Sequence, residues 1–348
     1  MRGTFHRALG DLGYVAIAGT LLYLLGGVAY AWLAGRVSNR VLIVGACAVS
    51  AITAGAWALA GDWAWLLIAF GGFGVGRGAL DAAVNADAAH QIKRLGWLHA
   101  GWSVGGAIGP LLVAGLAHVA SWRLPVAIVA IAAVAVTAPA TVSAGAALYD
   151  ETGADPASPA TDLPLLRTGL VLASFAFYTA AEIGPCAWGY VYLTDHRHLT
   201  STVAAVAVAL FWIALTAGRV ALGVFGERSD PKALLVGSCA LLVGALALLW
   251  LAPAGAGLIA MPLAGLGSAA VFPVLVNVTP SVVGGGAASR AIGLSIAAAA
   301  IGGPVAVLVE GLIVNASGAG VLAPAMLVVA VALLAPILLL VRVLPSSP

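Results

Sequence analysis

Eleven apolar stretches, each about as long as a bilayer is thick when wound as a helix, follow one another through this 348-residue chain. They fall near residues 12–34, 41–60, 64–88, 97–119, 123–147, 167–193, 202–224, 232–251, 255–279, 288–314 and 319–342. Short breaks of charge, proline and glycine separate them. Charged residues make up 8 % of the chain and hydrophobic ones 62 %, against roughly 25 % and 45–50 % in a soluble domain. Such a chain cannot cover itself with polar surface in water. That excludes a soluble enzyme and a disordered chain. Fifteen Lys and Arg against thirteen Asp and Glu leave a formal +2, too dispersed to form a phosphate-binding footprint, so nucleic acid is excluded as a partner. The fold class is an all-α polytopic membrane protein of about eleven transmembrane helices, with the lipid bilayer as its surroundings. Cys47, Cys186 and Cys239 lie in apolar runs without metal-ligand spacing and read as small core residues, so neither a metal nor a cofactor is expected. The first apolar run is too long for a signal peptide.

Residues 148–166, with four acids and three prolines, read as a linker between an N-terminal bundle, 1–147, and a C-terminal bundle, 167–348. One face of the membrane collects Arg36, Arg40, Lys93, Arg94, Arg167, Arg228, Lys232, Arg290 and Arg342, the other Arg2, Arg7, Arg123 and Arg197. The positive-inside rule makes the first face cytoplasmic, with the linker and the C-terminus on it. Trp63, Trp65, Trp122 and Trp250 stand near span ends as an interfacial belt is built.

The halves repeat. A shift of 192 lays Val41–Ala48 on Ala233–Ala240 and Asn85 on Asn277; Gly74 and Gly76 meet Gly265 and Gly267 within one residue, and Gly109-Pro110 meets Gly303-Pro304 at a shift of 194. Repeats of this size are how secondary transporters build a central site. The same offset carries the sixth span to positions before Met1, giving five helices in the first half and six in the second. The expectation is a first helix missing, by loss or by a start assigned too late.

The pattern resembles the major facilitator superfamily, whose members join two six-helix bundles by a cytoplasmic linker. The resemblance covers essentially the whole chain, as helices two to twelve. The family's loop signature G-x-L-A-D-R-x-G-R-R appears as Gly35-Arg36-Val37-Ser38-Asn39-Arg40, with Asn39 for the family Asp, and its second-half copy as Gly223-Val224-Phe225-Gly226-Glu227-Arg228. The resemblance makes Arg40, Glu227 and Arg228 gating candidates. The run from Gly74 to Asn85, followed by Leu98–Trp102 and Gly105–Leu112, together with Tyr178, Glu182 and Trp188, is similar to the branch containing fucose:proton symporters. Gly96, Gly105, Gly109 and Pro110 match instead the opening of the antiporter motif G-x8-G-x3-G-P-x2-G-G, whose last two glycines are here Val113 and Ala114. The two signals point in opposite directions of transport.

Ionisable groups inside membrane helices are costly and mark function by default. Arg77, Asp81 and Asn85 follow at intervals of four and share a helical face. Either Asp81 titrates while Arg77 and Asn85 bind solute, or Arg77 and Asp81 form a structural ion pair. Glu182 has no basic neighbour on its own helix, which suits a proton carrier; Tyr178 lies one turn before it, and Gly184-Pro185 behind it are expected to break the helix. His99, Trp102 and Ser103 share a face, as do Trp212, Thr216 and Arg219. Trp102, Trp188 and Trp212 offer indole faces for stacking. Arg219 is expected to snorkel to the cytoplasm, and Glu310 to be solvated near the outer end. Gly109 and Pro110 give a close, kinked contact suited to a hinge.

These readings converge on a secondary transporter of the plasma membrane, a monomer and not an enzyme, moving a small solute by alternating access with protons. Asp81 and Glu182 are its proton-coupling candidates. Arg77, Asn85, His99, Trp102, Tyr178, Trp188, Trp212 and Asn277 are its binding candidates, and Arg40, Gly109, Pro110, Glu227 and Arg228 its gating and hinge candidates. Paired asparagines favour sugar-like uptake. The alternatives are proton-coupled efflux of amphipathic compounds, and an intramembrane enzyme or assembly factor.

Overall fold

The structure, a computed structural model, describes residues 4–6, 12–116, 121–132, 134–135 and 163–344. The end of the fifth expected span and nearly all of the expected linker lie outside the described residues. The helices are α1 (Leu12–Leu33), α2 (Asn39–Ala58), α3 (Trp63–Ala88), α4 (Ile92–Leu116), α5 (Arg123–Ala132), α6 (Leu165–Val191), α7 (Ser201–Phe225), α8 (Pro231–Leu251), α9 (Gly257–Ala269), α10 (Val271–Val283), α11 (Gly285–Ser317) and α12 (Leu322–Val343). Among the described residues there is no strand, and eight helical segments are long and apolar enough to cross a membrane. The all-α polytopic fold is therefore as read from the sequence, with boundaries that differ in places. Helix α4 starts five residues before its apolar core, taking Lys93 and Arg94 into its first turn.

The break expected at Gly184-Pro185 is not there: α6 runs through Pro185 unbroken. The break falls instead at Ala270, between α9 and α10. Pro273 explains the position. In the first turn of α10 its missing N–H is one that a helix start leaves unpaired anyway.

The chain divides into two compact units. The first is Met1–Asp87, Gly106–Asp162 and Gly286–Ala297; the second is Ala88–Gly105, Leu163–Gly285 and Ala298–Pro348. In the first, α1 and α3 touch backbone to backbone: a Cβ on Gly74 would lie 2.7 Å from the Gly19 carbonyl, and one on Gly78 would strike the Tyr23 carbonyl. Such small-residue seams replace the hydrophobic drive that lipid does not supply. Gly76 is pressed in the same way against Ala46 and Ser50 of α2. In the second unit, Gly265 abuts the Phe211 backbone of α7, and Gly267 abuts Ser238 and Leu242 of α8. Positions 19, 46 and 50 plus 192 are 211, 238 and 242, so the repeat seen in the sequence is also a repeat of contacts inside each unit.

At the end of the first unit that carries Phe5, the expected belt is partly a core. Trp63 is 8 % exposed and packs with Phe5, whose ring also meets Trp122 at 6.0 Å. The half-exposed Trp65 and Trp250 keep the positions that a belt requires.

Candidate functional site

Polar side chains gather in each unit. In the second, Arg219 of α7 is 2 % exposed. Its Nη2 donates to Glu182 Oε1 of α6 at 2.9 Å and its Nη1 to Ser103 Oγ of α4 at 2.6 Å. The guanidinium stands 5.4 Å from the Trp102 ring, and its Nε–H is buried without a partner. Arg219 does not snorkel. An apolar helix face surrounds it, and Glu182, itself 5 % exposed, supplies the opposite charge that makes burial tolerable.

The surroundings of the pair are fixed by short-range helix geometry. Ser103 donates to the His99 carbonyl one turn back at 3.0 Å, so its hydroxyl can accept from Arg219. His99 is buried and packs at 4.8 Å on Phe272 of α10, just beyond the Ala270 break. Tyr178, one turn before Glu182, is fully buried, and its hydroxyl donates to the Ser268 carbonyl of α9 at 3.0 Å. Trp102, by contrast, is 45 % exposed and presents an indole face beside the cation.

In the first unit, the Asp81 carboxylate accepts from the Tyr23 hydroxyl of α1 and from Asn85 Nδ2, the latter at 2.8 Å. Arg77 stands 5.6 Å from the Tyr23 ring, as a cation over its face, and is exposed. The direct bonds to Asp81 thus come from Tyr23 and Asn85, where the structural alternative had Arg77 as its partner.

Four candidates are placed in packing roles. Trp188 lies against Gly311 of α11 and donates to the Val307 carbonyl at 3.3 Å. Trp212 meets Phe211 edge-on at 5.8 Å. Asn277 donates to the Ala89 carbonyl at 2.9 Å. Asn85 is fully buried on Asp81. Arg40, Glu227 and Arg228 are exposed at helix ends, the last two in a single 3-10 turn. Gly109 and Pro110 fall within α4, and their side chains lie outside the described residues. Asn39, which stands for the family Asp, accepts from the Tyr30 hydroxyl at 2.8 Å and donates to the Ala83 carbonyl. Glu310 is 3 % exposed, not solvated.

The sequence reading missed Tyr23, and misjudged Arg219 and Glu310. Arg219 lies about 9 Å from the end of α7 at 1.5 Å per residue, within snorkelling reach. Only the rotation of α7 toward α6 turns it inward.

A multi-pass fold that is all-helical among the described residues, with a buried charge pair and a discontinuous helix, is built as a membrane carrier is. Its sequence matches the Major Facilitator Superfamily over residues 1–261, and the chain belongs to that family. A comparison with curated proteins returns no match. Among solved structures, the fold is similar to that of FucP in the outward conformation (TM-score 0.77, 16 % identity, 99 % of this chain and 92 % of that one). A structure of the E. coli fucose:proton symporter FucP gives a TM-score of 0.74 at 18 % identity, covering 99 % and 93 %. The human organic anion transporter MFSD10 gives 0.72 at 17 % identity, covering 94 % and 82 %. At these identities the likeness is one of fold.

Proposed function

We propose that this chain moves a neutral, polyhydroxylated solute together with protons, by alternating access between an N-terminal bundle (1–147) and a C-terminal bundle (167–348). One observation carries the reading: a single buried guanidinium, Arg219, is bonded at once to a carboxylate, Glu182, and to the Ser103 hydroxyl. Protonating Glu182 removes the charge that holds Nη2 and leaves Arg219 to Ser103 and to solute. Deprotonation restores the pair. A proton is thereby exchanged against a rearrangement of the helices that carry the three residues.

The spare Nε–H beside the half-exposed Trp102 suits a sugar, whose hydroxyl accepts from the guanidinium while its apolar face stacks on the indole. The fold likeness to a fucose:proton symporter supports the same class. In the first unit the exposed Arg77 offers a further polar contact, while Asn85 holds the Asp81 carboxylate. The chain acts as a monomer in a bacterial plasma membrane, with its C-terminus cytoplasmic.

The test is transport in proteoliposomes. Glu182→Gln should abolish accumulation of fucose or xylose driven by a pH gradient while leaving counterflow exchange, because binding and reorientation survive without proton release. Unchanged pH-driven accumulation would remove Glu182 from the coupling. Binding of a cationic dye that no sugar displaces would favour efflux instead.

A further inference from the structure

Glu310 of α11 takes no part in the Arg219 cluster. Both of its carboxyl oxygens are buried and neither has a hydrogen-bond partner. It sits in a close seam between α6 and α11. Thr179 donates to the Ala299 carbonyl at 2.8 Å, Gly302 is pressed against Ala176, and Gly303 faces Ile183. Farther along, Trp188 covers Gly311 and donates to the Val307 carbonyl. These contacts climb both helices together, so the two run parallel. The Glu310 carboxyl points into this seam at Gly184: a Cβ there would stand 2.8 Å from one oxygen and 3.2 Å from the other. Leu308, Val309 and Leu312 around it on α11 are exposed and apolar. The carboxyl thus turns inward where its neighbours turn to lipid.

An unpaired carboxylate in such a place costs several kcal/mol, and the neutral acid costs far less. A hard metal cation would need several oxygen ligands. Glu310 brings two, and among the described residues no cluster of three or more His, Cys, Asp and Glu could hold a metal. A proton needs a single oxygen. Among the described residues no partner bonds either oxygen, and the missing Cβ at Gly184 supplies the room.

We propose that Glu310 is a second proton-binding site of this chain, separate from Glu182, loaded while the α6–α11 seam is closed and unloaded when the seam loosens. On loading, an O–H bond of a hydronium ion breaks as a carboxylate oxygen takes the proton, leaving water. On unloading the carboxyl O–H bond breaks and the proton returns to water, with no change of oxidation state. The site does not depend on the assignment of Glu182 to coupling or of sugar as solute.

Infrared difference spectroscopy of the purified full chain, titrated with acid and base, reads the site directly. The wild type should show a carboxylic-acid C=O band that disappears as pH rises. That band should be missing in Glu310→Gln and retained in Glu182→Gln, and its midpoint should move in Gly184→Ala, which crowds the carboxyl. Should Glu310→Gln fail to fold, Glu310→Asp grown with 13C-labelled glutamate gives the same readout, because the band then loses its isotope shift. A wild-type spectrum with no acid band assignable to Glu310 at any pH would overturn the proposal. So would a Glu310 band that never titrates.

Discussion

Arg219 and Glu182 illustrate how a charge becomes tolerable inside an apolar helix pair, and the same logic fixes what their loss costs. Removing one partner, as in Glu182→Ala, leaves a guanidinium buried and unpaired, a loss of about 3–5 kcal/mol. Replacing both, Glu182→Leu with Arg219→Met, should return most of that, since no charge is then left to desolvate. Thermal melting of the purified variants in one detergent checks this; a double variant no more stable than Glu182→Ala would mean the two are not coupled. At Asp81 the expected loss is smaller. Tyr23→Phe removes one of the two side-chain bonds described to the carboxylate, for about 0.5–1.5 kcal/mol in the same assay. The two acids were legible in the sequence because a charge inside an apolar run has no bland reason to be there. Their partners were not, since a partner on another helix depends on how far each helix is rotated, and low-complexity Gly, Ala, Val and Leu runs leave rotation unmarked. The same blindness assigned Trp188 and Asn277 to solute, where they are spent on neighbouring backbone carbonyls.

Helices in this chain are set against each other by where glycine removes a Cβ, and the repeat makes that claim unusually easy to check. Gly74 and Gly265 are repeat partners, and both stand against backbone of the helix that precedes them by two, Gly19 in one unit and Phe211 in the other. Gly45 and Gly237 are also repeat partners, and a Cβ on either would meet nothing within 4 Å. Gly74→Ala and Gly265→Ala should therefore each cost about 1–3 kcal/mol through overpacking. Gly45→Ala and Gly237→Ala should instead be neutral or stabilise by up to about 1 kcal/mol, through the better helix propensity of alanine. Melting temperatures of the four variants sort them, and equal losses in all four would mean that glycine acts here through flexibility rather than contact. The positions of the elements follow from long apolar runs, and among the described residues they lie near where those runs put them, with boundaries shifted in places. The break within them is not so placed, because a proline marks a weakened hydrogen bond without saying whether the helix must yield. Pro185 sits within α6 and is absorbed; Pro273 sits three residues past Ala270, where a new helix begins and no donor is missed.

The arrangement of the whole chain across the membrane rests on parity as well as on charge. In the proposed topology the linker at 148–166 and the C-terminus are separated by six spans, an even number, which puts them on one face. In the proposed topology the breaks that carry Arg36, Arg40, Lys93, Arg94, Arg228 and Lys232 face the cytoplasm, as the positive-inside rule expects of them. A cysteine placed at Ser158 or at Ser346 should react with a membrane-impermeant maleimide in inside-out vesicles alone. One placed at Ser201, the first residue of α7, should react in right-side-out vesicles alone. Cys47 and Cys239 are buried, so Cys186→Ser, which removes the half-buried thiol, supplies a quiet background. Labelling of Ser158→Cys and Ser346→Cys from opposite faces would break the six-span second half. Labelling of both from outside would keep the helices and invert the orientation, making the cluster of Lys and Arg an outer one.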